Sequence, residues 1–255
     1  MTEAWKSRVA AAFGTAADDY DRIGRVQWAV AHELARRLAL APLPEAPRVL
    51  EVGCGTGFLT ASLLPCLPGA RWLATDIAPE MVWACERRFA GRLHFEARVM
   101  DGEAPDLPPA SFDLVCSSMA AQWFADLPDA LAELWALVRP GGFLAVSTLG
   151  ADTFAEWRAA CAACGVAPAT PIYPDAATYA AWMGEGAEVA ETRHQAESSS
   201  SFTFLQDLKA LGAHVSRKGV APTPPGTLRR VMRQAGMRGF AATYHVLHGI
   251  RRKPL

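Results

Sequence analysis

The sequence predicts an α/β protein with a doubly wound, mostly parallel sheet of seven strands, to which N-terminal helices and helical insertions add a lid. Two observations lead to this prediction. Short apolar runs alternate with segments of helical periodicity between residues 48 and 150, as in parallel βαβ units. The chain also has 255 residues, 51% hydrophobic and 20% charged, which is enough for one large core.

The predicted elements follow in order along the chain. Helical periodicity at 5–14 and 27–40 precedes the Pro-rich stretch APLPEAP, which leads into the first strand. Apolar runs then predict strands at 48–53, 71–76, 93–101, 111–118 and 143–150, with helices at 58–67, 79–90 and 129–138 between them. Beyond residue 150 the alternation loosens, with helices near 152–164, 175–183, 204–213 and 227–236 and strands near 187–194 and 242–252.

The composition argues against several classes of protein. No apolar run is long enough to span a bilayer, and the first residues lack a signal-peptide core, so we expect a cytoplasmic protein that is not bound to a membrane. The six cysteines are too scattered for a disulfide framework. Cys161 and Cys164 form a CxxC without the second pair or the histidines that zinc needs, so no metal site is expected.

The net charge of -1 hides an asymmetry along the chain. Residues 209–255 include ten Lys or Arg and no Asp or Glu, whereas the remainder has 15 basic and 26 acidic side chains. Such a segment favours an acidic partner or nucleic acid, with a solvated helix face as the alternative. We expect no nucleic acid, because the basic residues lack interleaved aromatics and no binding motif appears.

The stretch EVGCGTGF follows the first strand and opens a helix. Gly53, Gly55 and Gly57 allow positive φ and close approach of the backbone to a ligand. A dinucleotide-binding loop has its third glycine one residue later, where Phe58 stands here, and Glu51 precedes the first glycine. The pattern therefore favours a ligand with a cationic amino-acid part and no phosphate.

Two further acids end successive strands. Asp76 ends the second strand, 19 residues beyond Gly57, where a carboxylate can accept both hydroxyls of a ribose. Asp101 ends the third strand and is followed by Gly102, which places an acceptor near an adenine amino group. With Glu51, these acids mark the crevice at the carboxyl ends of the strands, where open α/β sheets bind ligands.

As a set, these motifs resemble those of the Rossmann-like class I S-adenosylmethionine-dependent methyltransferases. EVGCGTG resembles the first motif of that family, Asp76 and Asp101–Gly102 fall on its ribose and adenine positions, and RPGGFLAVST resembles its approach to the fifth strand. The resemblance implies S-adenosyl-L-methionine as cofactor and S-adenosyl-L-homocysteine as product. It implies these cofactor-binding residues: Tyr20, Gln27, Glu51, Gly53, Gly55, Gly57, Asp76, Ile77, Met81, Asp101, Gly102 and Ser117.

A more particular resemblance spans nearly the whole chain. The segments AAFGTAADDYDRIGRVQ (11–27), SSMAAQWFADLPDALAELWALVRPGGFLAVSTLG (117–150), LKALGAH (208–214) and TYHVLHGIRRKP (243–254) resemble malonyl-acyl carrier protein O-methyltransferases of biotin synthesis. The resemblance implies methylation of the free carboxylate of a malonyl thioester, giving the methyl ester that enters biotin (pimeloyl) synthesis. We expect one domain over 1–255, with a helical lid at 1–45, a cofactor-binding core at 46–150, and acceptor-side insertions and sheet completion at 151–255.

The same resemblance implies roles around the acceptor. Met119 and Trp123 would form an apolar wall facing the methyl group, with Gln122 as a polar anchor. Tyr20 is expected to be a catalytic residue that closes over the cofactor, and ordinary packing is the alternative for Tyr20 and Trp123. Arg158 is our candidate for the catalytic, substrate-binding cation, since a guanidinium binds a carboxylate in bidentate fashion; the alternative is an exposed helix arginine.

The chemistry needs no catalytic base, because a malonyl carboxylate is already ionised at neutral pH. Alignment of the reactants and exclusion of water would promote the methyl transfer. The expected partner is malonyl-acyl carrier protein, or malonyl-CoA. Acyl carrier proteins are strongly acidic, so the acid-free segment offers complementary charge. The docking candidates are Arg217, Lys218, Arg229, Arg230 and Arg233.

Two rival functions stay open at this point. One is a related methyltransferase that acts on a quinone precursor or a small dicarboxylic acid. The other is a non-methylating assembly factor or a hydroxylase on the same fold, which likeness of fold alone does not exclude. Nicotinamide-dependent reduction is a more distant alternative.

Overall fold

The computed structural model describes residues 3–215 and 223–255, which form a seven-stranded sheet flanked by helices. The strands are β1 (Arg48–Val52), β2 (Arg71–Asp76), β3 (Phe95–Val99), β4 (Phe112–Ser118), β5 (Val138–Leu149), β6 (Glu188–Ser198) and β7 (Phe240–Arg252). The helices are α1 (Glu3–Ala16), α2 (Tyr20–Ile23), α3 (Arg25–Leu38), α4 (Phe58–Leu63), α5 (Pro79–Arg88), α6 (Leu127–Leu137), α7 (Ala155–Ala163), α8 (Ala176–Met183), α9 (Ser201–Ala210) and α10 (Pro225–Ala235).

The strand order β3-β2-β1-β4-β5-β7-β6 confirms the predicted doubly wound sheet. Strands β1 to β5 pair in parallel, whereas β7 is antiparallel to both of its neighbours, β5 and β6. The chain winds away from β1 in one direction and from β4 in the other, so the order reverses between these two strands. Ligands of open α/β sheets bind at the carboxyl ends of the strands beside such a reversal.

The core covers both faces of the sheet. Because successive strand residues point to opposite faces, Val49 packs with Leu34 and Leu59 on one side, while Leu50 packs with Leu134 on the other. The first face is covered by α3, α4 and α5, and the second by α6 and α8. Each fully buried leucine contributes roughly 1.5–3 kcal/mol of hydrophobic stabilisation, so the sheet is a rigid base for the loops at its edge.

A third apolar cluster lies where β5 ends and β7 begins. The ring of Phe154 contacts Tyr244 and Phe204 edge to face, with ring centroids 4.8 Å and 5.3 Å apart. Phe240 of β7 and Val231 of α10 belong to the same cluster. These contacts hold α7, α9 and α10 against the carboxyl edge of the sheet.

Several elements differ from the sequence prediction, and three of the differences have clear local reasons. Strand β5 starts at Val138, before the predicted 143, because Val138 pairs with Phe112 ahead of a register shift. Helix α9 starts at Ser201, inside the polar serine run, because the Ser200 hydroxyl accepts the N–H of Thr203 and caps the helix. The four-residue helix α2 is too short for periodicity to reveal.

No helix in the described part of the chain is long and apolar enough to cross a membrane.

Candidate active site

The glycine-rich loop between β1 and α4 is closely packed against the loop that follows β4. Gly53 has φ of +70°, and a Cβ atom there would lie 2.2 Å from the Cβ of Ala120. A Cβ atom at Gly102 would lie 2.5 Å from Cγ1 of Val52. Both positions therefore require glycine, and the backbone is left open toward the crevice at the end of β1.

The carboxylate of Asp76 is fixed at the end of β2 by the neighbouring backbone. Its Oδ2 accepts the N–H of Gly55, and its Oδ1 accepts the N–H of Ala78, both at 2.9 Å. Burial raises the pKa of Asp76, and the backbone N–H groups oppose that rise. The rigid carboxylate borders the crevice where the sequence analysis expects a ribose.

Glu51 is 1% exposed and lies beneath the glycine loop. Its Oε2 accepts hydrogen bonds from Nε1 of Trp72, at 3.1 Å, and from the hydroxyl of Thr60. Burial raises the pKa of Glu51 to about 7, although both hydrogen bonds favour the ionised form. A buried carboxylate of this kind attracts the ammonium group of an amino acid.

An ion-paired cluster closes the adenine side of the crevice. The ammonium of Lys6, on α1, lies 2.6 Å from Oδ2 of Asp101 and 2.8 Å from Oε2 of Glu103. The other oxygen of Glu103 accepts the N–H groups of Ala125 and Asp126 at 2.7 and 2.9 Å. Sequence reasoning missed Lys6 and Glu103. The position of Glu103, two residues after Asp101, was a signal that it lies at the same strand end. Nothing in the sequence around Lys6 indicated a place in the site.

These groups line one cavity, which we call the cofactor chamber. Ten of the twelve residues predicted to bind cofactor lie in its wall: Tyr20, Gln27, Glu51, Gly53, Gly55, Asp76, Ile77, Met81, Asp101 and Gly102. The donor set fits S-adenosylmethionine, since open glycine backbone and a buried carboxylate meet its amino-acid part and two further carboxylates stand where ribose and adenine would lie.

Two predicted cofactor residues lie outside this wall. A Cβ atom at Gly57 would meet the ring of Phe89 at 2.5 Å, so Gly57 serves the packing of the loop against α5. Ser117 is fully buried, with no hydrogen-bond partner for its hydroxyl among the described residues. Ser118 lines the chamber instead. Neighbouring strand residues face opposite ways, so Ser118 faces the chamber and the predicted Ser117 faces away from it.

A second cavity, the acceptor chamber, adjoins the first. The two chambers share five lining residues, which we call the junction: Phe13, Tyr20, Gln27, Met119 and Trp123. At the junction the rings of Phe13 and Trp123 meet edge to face, with centroids 5.3 Å apart. The loop after β4 thus faces the place where the chambers meet.

Met119 and Gln122 are held close together in this loop. Met119 has φ of +56°, and its carbonyl accepts a hydrogen bond of 2.5 Å from Nε2 of Gln122. Gln122 and Trp123 line the acceptor chamber, as the sequence analysis expected for the substrate side. The contact fixes the turn that presents the Met119 and Trp123 side chains.

Arg158 does not line either chamber. Its Nη1 donates a 2.6 Å hydrogen bond to the carbonyl of Thr153. On α7 the residues that face the acceptor chamber are Trp157 and Cys161, one helical turn apart, so Arg158 points along a different side of the helix. The structure therefore does not support the role predicted for Arg158.

The basic docking candidates on α10 lie on its outer side. Arg229, Arg230 and Arg233 are exposed, whereas Leu228 and Val231 of the same helix face the acceptor chamber. The remaining candidates, Arg217 and Lys218, lie outside the described residues. Within the described ranges, no group of three or more His, Cys, Asp or Glu is arranged to hold a metal ion.

Comparison with solved structures shows the same fold. The YcgJ protein from Bacillus subtilis matches 87% of this chain and 99% of its own, with a TM-score of 0.60 and 15% identity. A putative methyltransferase from Bacillus halodurans C-125 matches 88% of this chain and 99% of its own, also with a TM-score of 0.60 and 15% identity. At this identity the likeness establishes the fold alone. A family model described as a methyltransferase domain matches residues 50–146.

Relatives of known name cover nearly the whole chain. A malonyl-[acyl-carrier protein] O-methyltransferase of Magnetococcus marinus is 44% identical over 95% of this chain and 91% of its own length. That of Enterobacter lignolyticus is 32% identical over 96% of both chains. The biotin biosynthesis bifunctional protein BioCD of Bordetella avium is 41% identical over 96% of this chain, which spans only 52% of that longer protein.

The fold and the cofactor chamber define a class I methyltransferase, an enzyme whose methyl donor is S-adenosylmethionine. The relatives that match nearly the whole chain identify the family within this class. The chain belongs to the malonyl-[acyl-carrier protein] O-methyltransferase family.

Proposed function

We propose that this protein transfers the methyl group of S-adenosylmethionine to the free carboxylate of malonyl-[acyl carrier protein], giving the methyl ester that enters biotin synthesis. The observation that carries the proposal is the junction, where five residues are shared by a carboxylate-lined cofactor chamber and a larger, mostly apolar acceptor chamber. An acyl group that enters the acceptor chamber ends at the junction, where a methyl group held in the cofactor chamber is within reach.

When bound, S-adenosylmethionine supplies an electrophilic methyl group on a positively charged sulfur. The chain contributes position: Asp76, Asp101 and Glu51 hold the donor, and Tyr20 lies between donor and acceptor. Alignment of this kind is worth several kcal/mol in well-oriented reactions, roughly 7–11 kcal/mol at best. No general base is required, because the acceptor carboxylate is already ionised at neutral pH.

Exclusion of water supports the same step. Phe13, Met119 and Trp123 give the junction apolar walls, and Phe154, Trp157 and other apolar side chains line the acceptor chamber. Water stabilises the separate carboxylate and sulfonium charges better than the charge-diffuse transition state between them. A dry junction therefore favours methyl transfer.

The proposed partner is an acidic carrier protein that docks on the outer side of α9 and α10. Arg229, Arg233 and Arg238 are exposed there. Phe202 and Met237, which are 49% and 55% exposed, lie nearby because the N–H of Ser201 donates to the carbonyl of Gly236. Positive charge around exposed apolar side chains suits a small acidic protein, which the charges would steer and the apolar groups would hold.

We also infer that the enzyme works in the cytoplasm. All six cysteines are free thiols, and Cys54, Cys85, Cys116 and Cys161 are buried. Unpaired thiols are typical of proteins kept in a reducing compartment.

Intact-mass spectrometry tests the proposed function directly. Malonyl-[acyl carrier protein] incubated with S-adenosylmethionine and the enzyme should gain the mass of one methyl group, and the acetyl form should gain nothing. Malonyl-CoA and free dicarboxylic acids, assayed in parallel, test the rival small-acid substrates. Methylation of a small acid alone, or of no acceptor despite measured cofactor binding, would refute the proposal.

A further inference from the structure

The acceptor chamber presents an electrostatic problem. The proposed acceptor is an anion, yet no Lys or Arg within 3–215 and 223–255 lines that chamber. Its one basic lining residue in those ranges is His214, which is exposed. The cofactor chamber holds Lys6, but that ammonium is already paired with Asp101 and Glu103.

Neutral hydrogen-bond donors stand where a cation was expected. Of the five junction residues, Tyr20 and Gln27 carry a hydroxyl and an amide that donate hydrogen bonds without charge. Tyr173 and Tyr244 also line the acceptor chamber, so it holds three of the chain's four tyrosines. Their concentration in a mostly apolar cavity indicates a polar ligand.

The phenols of Tyr20 and Tyr244 stay protonated at physiological pH. Burial raises the pKa of Tyr20 well above its usual value, and the nearby carboxylates of Asp76 and Asp21 raise it further. Burial also raises the pKa of Tyr244, with smaller contributions from Tyr173 and Tyr20. The hydroxyls of Tyr20 and Tyr244 therefore keep the proton that a hydrogen bond to an anion requires.

The position of Tyr20 is fixed from both sides. Its ring lies 5.8 Å from Phe58 and 6.5 Å from Phe13, measured between centroids. The next residue, Asp21, accepts hydrogen bonds from the Thr56 hydroxyl and from Arg88, at 2.5 and 3.0 Å. Helix α2 is therefore anchored to the glycine loop, and Tyr20 is held at the junction.

A junction that has no cation among the residues the structure describes suits the reaction. A guanidinium would bind the carboxylate strongly in the ground state, but the negative charge disappears as the ester forms. An interaction that weakens on the way to the transition state raises the barrier. Neutral donors orient the carboxylate, and their interaction with it weakens less than that of a cation when the negative charge disappears.

We propose that Tyr20 and Gln27 hold the malonyl carboxylate through neutral hydrogen bonds, and that its counter-charge is the sulfonium of the bound cofactor. This inference rests on the proposed function. A carboxylate lone pair forms the O–CH₃ bond while the S–CH₃ bond breaks and its electron pair returns to sulfur. No proton moves, and the products, an ester and a thioether, are both neutral there, so the attraction that held the substrate ends with the reaction.

A binding experiment tests the role of the cofactor charge. The dissociation constant of malonyl-[acyl carrier protein] is measured by calorimetry with the enzyme saturated either with S-adenosylhomocysteine or with sinefungin. Sinefungin has a protonated amine in place of the methylsulfonium, whereas the thioether of S-adenosylhomocysteine is neutral. We expect malonyl binding at least about tenfold tighter with sinefungin, and acetyl binding unchanged, because only the malonyl end is charged.

Two variants test the neutral donors. The preference is the ratio of the dissociation constants of acetyl and malonyl carrier protein. Tyr20→Phe and Gln27→Met should each reduce this ratio about tenfold, since a hydrogen bond to an anion is lost. The matched controls are Tyr179→Phe, whose hydroxyl donates to the Val146 carbonyl outside both chambers, and Gln206→Met on the exposed side of α9. A purely structural role of Tyr20 or Gln27 would lower the stability of those two variants but would leave the ratio of malonyl to acetyl carrier-protein affinity unchanged.

Two results would overturn the inference. One is equal malonyl affinity with sinefungin and S-adenosylhomocysteine. The other is loss of the malonyl preference in Arg217→Ala or Lys218→Ala, which would assign the carboxylate to a cation from that segment. Methylation of malonyl-[acyl carrier protein] by the wild-type enzyme, measured first by mass, separates these outcomes from failure of the proposed function.

Discussion

The ammonium of Lys6 and the carboxylate of Asp101 meet at 2.6 Å although they are 95 residues apart in the chain. Glu103 accepts from the same ammonium at 2.8 Å and from the N–H groups of Ala125 and Asp126. Burial lowers the pKa of Lys6, but hydrogen bonds to both carboxylates outweigh it and leave that pKa raised. One charged cluster thus ties helix α1 to the end of β3 and to the loop after β4.

Lys6→Met should weaken cofactor binding. The substitution keeps the length of the side chain and removes its charge, so α1 loses its tie to the cofactor chamber. A partly exposed ion pair is worth about 1 kcal/mol, which predicts a dissociation constant for S-adenosylhomocysteine about fivefold higher by calorimetry. Arg36→Met removes an exposed pair with Glu33 on α3 and should leave that constant unchanged. Equal effects of the two substitutions would show that α1 does not contribute to cofactor affinity.

Gly53→Ala should abolish cofactor binding at ordinary concentrations. The new Cβ would lie 2.2 Å from the Cβ of Ala120 at a backbone φ of +70°, so the glycine loop must shift. Gly91→Ala is the matched control, because Gly91 has φ of +81° but open space around its Cβ position. In denaturant titrations, backbone strain should lower the free energy of unfolding of Gly91→Ala by about 1 kcal/mol. Gly53→Ala should lose more than this, because the clash with Ala120 adds to the same strain. Only Gly53→Ala should lose affinity for S-adenosylhomocysteine.

Glu51 should make stability and cofactor affinity depend on pH in opposite directions. Its pKa is raised to about 7 in the folded protein, above that of an unfolded glutamate, so the folded state binds the proton more tightly. The free energy of unfolding contributed by this group is therefore highest at low pH. It falls as pH rises from about 4.3 to 7, by about 3 kcal/mol if no other group compensates.

Cofactor affinity should follow the ionised form of Glu51, which attracts the cofactor ammonium, and should rise between pH 6 and 8. Glu51→Gln retains an oxygen that accepts from Trp72 and Thr60 but carries no charge. The variant should be more stable than wild type at pH 8 and should bind cofactor about tenfold less tightly, without the pH dependence. A cofactor affinity that keeps its pH dependence in the variant would assign the titration to another group.

The cofactor half of the site was predictable because its signals are local. A glycine loop after a strand and acids at successive strand ends share one sheet edge once the strands are parallel, so Gly53, Asp76 and Asp101 could be placed together from spacing. The strand ends with two serines and nothing local fixes which one faces the crevice; Ser118 lines the chamber, and the predicted Ser117 does not.

The acceptor half was harder because its wall combines segments from Phe13 to Tyr244. Arg158 was predicted from its place in a helix just after β5, but the direction of its side chain depends on which face of α7 packs on β7 and α10, and that face carries Trp157. The Lys6–Asp101 contact joins an N-terminal helix to a strand end, a pairing that no periodicity contains. Such contacts follow from packing in three dimensions, which a single sequence does not show.

Charge reversal on α10 should selectively weaken the binding of the carrier protein. Arg229→Glu with Arg233→Glu should raise KM for malonyl-[acyl carrier protein] about tenfold, leave kcat nearly unchanged and flatten the fall in kcat/KM with added salt, because exposed charges act mainly on encounter. KM for malonyl-CoA, if it is a substrate, should change little. The control is Arg71→Glu, because Arg71 is exposed at the start of β2, in the half of the sheet away from β7. Equal losses in the control variant, or salt-independent rates in wild type, would contradict docking on this surface.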